Sequence, residues 1–460
     1  MTEGTDVCGL FGTYRSNESV ERGLAALRHR GPDGEGIIEI GPAVHGHVRL
    51  ALLDPSPASA QPFHRGGGVL SFNGELWNHR ELREELTALG HAFSTTGDTE
   101  VLAAALVQWG VDALPRLDGM FAFAWSQRDA HQLARDRFGK VPLYVLRRGP
   151  SFVWMSERKA HPDGGLAAPL PAGCRLDLTD GSVHRWYSPP AAPPPDGFDV
   201  LAALEQGVRR RLVADAPVCC LVSGGLDSGL ILALAKKHRP DVVAYTAVLD
   251  PRSADLTAAR RLCSTLGVPL REVAVPAPTA ASLAEAARTV EIASKAQVEI
   301  AALCIPLARR IAADGFKACL SGEAADELFG GYGNTCIQAA RADDAGWRRI
   351  RLDLLEKMSR GNFVRCNKAF LAAGVECRLP FMELPLVEAV LNMGKTACPP
   401  GKKLLKQAAL GLLPREFVVR PKETFQGGSG LSAAAGRAVA DPTRFYNAEI
   451  RRAFGALVRS

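Results

Sequence analysis

A short loop at residues 223–228 combines side chains that could bind phosphate. The apolar run 218–222 precedes it and a helix-forming run, 230–235, follows it, which predicts a buried strand, a tight loop and a helix N-terminus. Backbone N–H groups at such a position form an anion site. The two serines of the loop could donate to phosphate oxygens, and Asp227 could hold a divalent cation against them. Because the loop has no lysine, it is unlike a Walker-type loop.

Three carboxylates follow a second apolar run, 316–320. Glu323, Asp326 and Glu327 are spaced i, i+3 and i+4, so they share one face if a helix begins at residue 323. The alternative is the common placement of acidic residues in a first helical turn. Three such groups exceed what that role requires, which favours magnesium and an amine or phosphate-bearing ligand.

A third group of residues with chemical potential lies in the front half of the chain. A cysteine, an arginine, an asparagine beside a glycine and two carboxylates could supply a nucleophile, an oxyanion donor and anchors for a small amino acid. Each of these residues taken singly is weak evidence for catalysis, because an isolated cysteine is usually inert and Asn-Gly is often a hairpin turn. These residues are Cys8, Arg49, Asn73, Gly74, Glu75 and Asp98.

Composition limits the classes of function. The chain has 460 residues, 47% of them hydrophobic, enough for two or three domains. Its net charge of +6 is not gathered into long basic runs, so nucleic-acid binding is not expected. No apolar run approaches the roughly 20 residues of a membrane span. The 11 cysteines form no CxxC pair, which predicts a reducing, cytoplasmic setting without structural zinc.

The elements that position these residues fall into two halves. Residues 1–187 are predicted to form a domain of strands and turns with a few helices. The proline-rich stretch 188–197 is predicted to be a stiff linker. Residues 198–460 alternate apolar runs with longer helical patterns, which is typical of a doubly wound parallel α/β sheet.

The motifs resemble known enzymes. The loop at 223–228 resembles the pyrophosphate loop of the N-type ATP pyrophosphatases, and the front-half residues resemble the glutaminase domain of class II glutamine amidotransferases. Because the glutaminase-like residues come first and the pyrophosphate loop follows them, the whole chain resembles the asparagine synthetases. The resemblance implies an αββα N-terminal-nucleophile fold followed by an adenine nucleotide α-hydrolase-like domain. It also implies ATP, Mg²⁺, glutamine and a small carboxylic acid as reactants or cofactors; a homodimer stays open.

The resemblance also implies residue roles. Cys8 would attack glutamine, which Arg49, Asn73, Gly74, Glu75 and Asp98 would bind, with Asn73 and the Gly74 N–H as oxyanion hole. Glu323 would act as an acid or base, and Lys402 would neutralise the α-phosphate. Asp227 and Asp326 would hold metal. The ATP and pyrophosphate positions are Leu221, Ser223, Gly224, Gly225, Asp227, Ser228, Val248, Ser321, Gly322 and Lys402.

One departure from the family pattern concerns Cys8. The family's cysteine is the first residue of the mature chain, because its free α-amine is the general base for the thiol. Here seven residues precede it. We expect either removal of a leader after Val7 or translation from the Val7 codon; an inactive glutaminase is the third reading.

A second departure concerns the acceptor acid. Where asparagine synthetases carry a threonine pair and an aspartate-binding arginine, this chain reads 296–299, Ala-Gln-Val-Glu. A glutamate in place of arginine reverses the sign of that contact. The acceptor is therefore predicted to contact Gln297, Glu299 and Asp326, and to be an acid other than aspartate, as in natural-product biosynthesis.

The leading prediction is thus a glutamine-dependent ligase that amidates a carboxylic acid through an acyl-AMP. One alternative is an amide-forming synthetase with an inactive glutaminase, as in the β-lactam synthetases and lasso-peptide cyclases. Another is an ordinary asparagine synthetase. A non-enzymatic scaffold is disfavoured, because the residues expected at the ATP site are all present.

Overall fold

The computed structural model describes residues 8–31, 33–420 and 431–454. In this part of the chain the front half contains two six-stranded antiparallel sheets. In spatial order, the first is β10 (Ala168–Pro169), β8 (Tyr144–Arg148), β9 (Ser151–Met155), β1 (Gly9–Tyr14), β3 (Ala43–Arg49) and β2 (Gly34–Ile40). The second is β12 (Val183–Arg185), β11 (Cys174–Asp177), β7 (Ala130–Arg135), β6 (Gly119–Gln127), β5 (Gly68–Leu76) and β4 (Phe63–Arg65).

Strand β6 shows why these sheets are layered. Its side chains alternate between two cores, as the two-residue period of a strand requires. Phe121 and Phe123 pack with the helices α2 (His79–Ala88) and α3 (Asp98–Trp109), whereas Ala122 packs with residues of the first sheet. Helix α1 (Val20–Ala25) covers the far face of that first sheet. The layers are therefore helix, sheet, sheet and helix, which confirms the predicted αββα N-terminal-nucleophile fold.

The back half is built on a five-stranded parallel sheet in the order β15 (Leu270–Ala274), β14 (Ala244–Val248), β13 (Val218–Leu221), β16 (Ala318–Leu320) and β17 (Glu376–Arg378). From β13 the chain proceeds to β14 and β15 and then returns to β16 on the opposite side. All five strands are parallel, but the order in which the chain adds them reverses between β13 and β16. Ligands of such sheets bind at that switch point, beyond the carboxyl ends of the strands. The predicted doubly wound fold is confirmed.

Helices cover this sheet, and none of the helices in the described ranges has the length and apolar character needed to span a bilayer. Their bounds are α4 (Val200–Arg211), α5 (Leu226–His238), α6 (Ala254–Leu266), α7 (Ala280–Val290), α8 (Lys295–Ala313), α9 (Ala325–Phe329), α10 (Gly333–Arg341), α11 (Asp344–Met358), α12 (Asn362–Leu371), α13 (Leu384–Asn392), α14 (Lys403–Ala409), α15 (Arg415–Val419), α16 (Leu431–Ala438) and α17 (Pro442–Phe454).

Candidate active sites

The first candidate site is a cavity around Cys8, which immediately precedes β1. Since β1 pairs with β3, Cys8 lies beside Leu50, and the Leu50 N–H donates to Cys8 Sγ at 3.3 Å. All six residues predicted for glutamine line this one cavity: Cys8, Arg49, Asn73, Gly74, Glu75 and Asp98. The fold therefore brings together residues that are up to 90 positions apart in the sequence.

Gly74 occupies a position that only glycine fits. Its φ of 139° lies in a region that residues with a side chain rarely adopt, and a Cβ there would collide with the Met120 carbonyl of β6. Beside it, Asn73 Nδ2 donates to Ser156 Oγ at 3.3 Å. The strand thus holds an amide side chain and an exceptional backbone position next to each other on the cavity wall.

Two other predicted glutamine ligands are held by backbone groups. The Arg49 guanidinium donates to the carbonyl oxygens of Ser56, at 3.0 Å, and Asp54. The Asp98 carboxylate accepts from the Leu76 N–H at 2.9 Å. Both are nearly buried, so their side chains are fixed before any ligand arrives.

The Cys8 thiol resists ionisation. The pKa of Cys8 is raised to about 12, chiefly by burial, with the nearby Glu376 and Glu75 carboxylates also raising it and the Leu50 backbone hydrogen bond lowering it. At neutral pH the group is therefore a thiol rather than a thiolate, and its attack on an amide requires a base.

Glu376 lines this cavity and Arg378 pairs with two of its carboxylates, although the sequence motifs did not assign either residue a role. Both lie on β17 of the back half, and Glu376 lines the cavity. Arg378 pairs with Glu376 at 2.7 Å and with Glu75 at 3.3 Å. The sequence did contain a hint of their importance, because the segment 376–381 resembles the family pattern, but it did not indicate what chemical role these residues have.

The second candidate site lies at the switch point of the parallel sheet. As predicted, the loop at 223–228 joins β13 to the start of α5. Gly224 has a φ of 75°, and a Cβ there would lie 2.6 Å from the Ala259 nitrogen. Ser228 Oγ accepts from the Ser223 N–H at 3.2 Å, so the loop is closed on itself with both hydroxyls on one side.

The loop after β16 touches the loop after β13. A Cβ on Gly322 would lie 2.9 Å from the Ser228 nitrogen, so this contact also requires a glycine. Ser321 Oγ accepts from the Glu323 N–H at 3.3 Å. Leu221 and Val248 end the adjacent strands β13 and β14, and both are partly exposed there.

Lys402 joins the two loops. Its Nζ lies 2.5 Å from Asp227 Oδ2 and 2.6 Å from Asp326 Oδ1, and the residue is only 5% exposed. Burial by itself lowers the pKa of Lys402, but the two carboxylates outweigh it and the pKa lies above its ordinary value. A permanent cation therefore lies between the segment 223–228 and the acidic segment 323–327.

The predicted helix from residue 323 is wrong in its starting point. Ala324 has a φ of 78°, which interrupts helical geometry, and α9 begins at Ala325. Glu323 therefore precedes the helix instead of sharing its face. It still lies close to Glu327, because Asn362 Nδ2 is 3.2 Å from an oxygen of each.

Glu323 is held by α12, which the sequence did not indicate. The Arg365 guanidinium pairs with Glu323 Oε1 and also donates to Gln297 Oε1 at 2.8 Å. Gln297 in turn donates to Asn362 Oδ1 at 2.8 Å. Of the predicted acceptor residues, Gln297 thus belongs to the network around Glu323.

Glu299 lies elsewhere. It is fully buried on α8, pairs with Lys295 at 2.8 Å and accepts from Ser432 Oγ of α16 at 3.2 Å. Two positions along a helix turn the side chain by about 200°, which separates Glu299 from Gln297.

Comparisons with known proteins cover both halves of the chain. A glutamine amidotransferase domain model matches residues 7–167, and an asparagine synthase model matches residues 199–354 and 335–442. The chain is 32% identical to asparagine synthetase B [glutamine-hydrolyzing] of Escherichia coli (strain K12), over 93% of this chain and 83% of that protein. It is 30% identical to asparagine synthetase [glutamine-hydrolyzing] of Sandersonia aurantiaca, over 88% of this chain and 82% of that protein. The chain therefore belongs to the family of glutamine-hydrolysing asparagine synthetases.

Proposed function

We propose that this protein makes an amide from a carboxylic acid other than aspartate, using ATP and the nitrogen of glutamine. The observation that carries the ATP-dependent step is the Lys402 ammonium held between Asp227 and Asp326 at the switch point of the parallel sheet. A cation beside a phosphate-binding loop can offset the charge that develops when a carboxylate attacks the α-phosphate of ATP. The products of that step are an acyl-AMP and pyrophosphate.

Mg²⁺ fits this arrangement. It is commonly bound by one or two carboxylates together with substrate phosphates. Asp227 and Asp326 supply two carboxylates that converge on one point, while the described residues contain no group of three or more potential protein ligands. The ion would neutralise pyrophosphate as it leaves, and Asp227 and Asp326 are the residues that would hold it.

At the other site, Cys8 Sγ would attack the side-chain amide of glutamine, while Asn73 and the Gly74 N–H bind the oxyanion. We further propose that the C–N bond then breaks to release ammonia, and that water hydrolyses the thioester left on Cys8 to glutamate. The ammonia would cross an internal channel and displace AMP from the acyl-AMP, with Glu323 accepting the proton that the nitrogen loses. Because the Cys8 pKa is near 12, the thiol depends on a base, for which the free α-amine of Cys8 is our candidate.

The proposed acceptor follows from α8. The segment 296–299 supplies no cation, and both polar atoms of the Gln297 side chain are engaged by Asn362 and Arg365. An α-carboxylate such as that of aspartate would find no free cationic partner in this segment. An acid whose second group is an amine or hydroxyl suits its polarity better.

Ordinary asparagine synthesis is the second candidate. One observation favours it: Glu299 is neutralised by Lys295 and turned toward Ser432, so its charge does not oppose aspartate at the Glu323 network. The third candidate keeps the adenylation and lacks the glutaminase, and it is favoured by the suppressed thiol of Cys8.

ATP–pyrophosphate exchange with a panel of carboxylic acids, with and without glutamine, distinguishes these functions. We expect exchange with a non-aspartate acid, and an amide formed with glutamine. Saturation with aspartate in the normal way would refute the proposed acceptor and establish the second candidate. Exchange without any glutamine hydrolysis would establish the third.

The base is tested separately by comparing the full chain with one that starts Met-Cys8 and is trimmed to Cys8. We expect glutamine hydrolysis only when mass spectrometry finds Cys8 at the N-terminus, with equal ammonia-dependent amide formation in both. Hydrolysis by a chain that retains Met1 would contradict this. We also propose a cytoplasmic setting, which suits 11 free cysteines.

A further inference from the structure

A large cavity lies where the front half meets the C-terminal helix α17. Its volume is about 800 Å³, within the range of small-molecule sites. The front half contributes Tyr144 and Arg158, the segment before α8 contributes Ile292, and α17 contributes Arg444 and Arg451. None of the residues predicted to bind glutamine or ATP lines it.

The cavity is strongly basic. Five arginines line it, namely Arg135, Arg158, Arg360, Arg444 and Arg451, and Glu291 is the only acidic residue that the described part of the chain contributes to the lining. That glutamate is already engaged, because it pairs with Lys368 and accepts from the N–H groups of Arg158 and Lys159 at 3.0 and 2.9 Å. It does not balance the charge of the arginines.

Two of the arginines have structural roles. Arg135 donates to four backbone carbonyls around it, among them those of Val141 and Leu170 at 2.7 and 2.8 Å, and Arg360 pairs with Glu356. The remaining three differ. No carboxylate of residues 8–31, 33–420 or 431–454 pairs with Arg158, Arg444 or Arg451.

Arg158 is the decisive residue. It is 7% exposed, and its recorded interactions are an Nε hydrogen bond to the Ala167 carbonyl at 3.1 Å and stacking over the Tyr144 ring at 4.5 Å. Because an exposed arginine needs no counter-charge, the lack of a carboxylate partner at Arg444 and Arg451 would not by itself indicate a ligand. A buried guanidinium is costly without one, and here it faces a cavity that two more guanidinium groups also line.

We propose that this cavity binds a small organic anion carrying two or more carboxylate or phosphate groups. Its volume exceeds that of a single inorganic ion, and its three available guanidinium groups can form bidentate bonds with either group. Because Arg158 belongs to the front half and Arg444 and Arg451 to the back half, the bound anion bridges the two halves. The site is separate from both reaction centres.

Calorimetric titration of the full chain tests this, at low salt and without ATP or glutamine. The two probes are citrate and fructose 1,6-bisphosphate, used separately. We expect at least one to bind with one-to-one stoichiometry and to raise the melting temperature, since a ligand of the folded state stabilises it. The R444Q/R451Q double variant should bind at least tenfold more weakly, and both changes are at exposed positions that the fold tolerates.

A matched control replaces two exposed arginines outside the cavity, R128Q/R252Q, and should leave the dissociation constant unchanged. At the buried position, R158K should retain more affinity than R158Q. Binding of citrate alone supports a polycarboxylate, and binding of the bisphosphate alone supports a phosphate ester. No binding of either probe, or equal weakening in the control and the α17 variant, would overturn the proposal.

Discussion

Gly331 has no side chain, which leaves room for the contact between Lys402 and Asp326. A Cβ at this position would overlap Asp326 Oδ1 and Lys402 Cε. The change G331A should therefore separate Lys402 from Asp326 and lower ATP–pyrophosphate exchange by at least tenfold, with little change in melting temperature. The control is G333A, where a Cβ meets nothing within 4 Å. Equal exchange rates in the two variants would contradict this role for Gly331.

Glu327 gives the second prediction at the residue scale. Burial raises its pKa to about 7, with Glu323 and Asp326 adding to the effect. The pKa of Glu327 in the folded state thus lies above its unfolded value of about 4.3. At a pH between these two values, the folded protein holds a proton that the unfolded chain has lost. Stability from this group is then lost as pH rises from about 4.3 to 7. In E327Q, the fall in melting temperature across this window should be smaller.

Isosteric replacement keeps an acceptor for the Tyr332 hydroxyl, which donates to Glu327 at 2.7 Å. The control is E84Q on the exposed face of α2, which should follow the wild-type curve. Parallel melting curves for wild type and E327Q from pH 4.5 to 7.5 would show that Glu327 is not the titrating group.

At the scale of elements, α12 spans from one centre to the other. Its first turns hold Glu323 through Asn362 and Arg365. Farther along, Asn367 accepts from Arg30 at 3.0 Å, and Arg30 also donates to the Cys8 carbonyl at 3.0 Å. The same helix therefore contacts Glu323 directly and is linked to the backbone of Cys8 through Arg30.

Lys368 fixes this helix against Glu291, and both side chains are fully buried. Removing one partner leaves a buried charge, which costs about 3–5 kcal/mol. K368M should therefore lower the melting temperature by several degrees, and E291Q/K368M should recover part of the loss. Calorimetric melting is the measurement, with K357M at an exposed position of α11 as control. A loss no larger than that of K357M would contradict the assignment.

The elements themselves were largely predictable, because apolar runs and glycines mark strands and tight loops locally. The segment 223–228 follows β13 and runs into the first turn of α5 as expected. The start of α9 was not predictable, since nothing in the sequence marks the positive φ of Ala324. The role of α12 was not predictable either, because Arg365 reaches Glu323 across 42 positions by tertiary packing. Gln297 and Glu299 are neighbours in the sequence, yet helical geometry separates them.

At the scale of the whole molecule, the cavity around Cys8, where we propose that glutamine binds, is completed by the opposite half of the chain. Glu376 of β17 lines it and raises the pKa of the Cys8 thiol. E376Q removes that charge while keeping the shape, so the thiol should titrate at a lower pH. The pH dependence of Cys8 alkylation by iodoacetamide measures this, and ATP–pyrophosphate exchange should stay within about twofold of wild type, because Glu376 is outside the Lys402 centre.

A matched control exists in E388Q, since Glu388 also belongs to the back half and contacts the front half. It accepts from the Tyr187 hydroxyl at 2.9 Å but does not line the cavity. If E376Q acted only by loosening the two halves, E388Q would shift the Cys8 titration as well. A shift confined to E376Q means that the charge of β17 acts directly on the thiol. Unchanged titration in both would leave β17 with a purely structural role at the glutamine cavity.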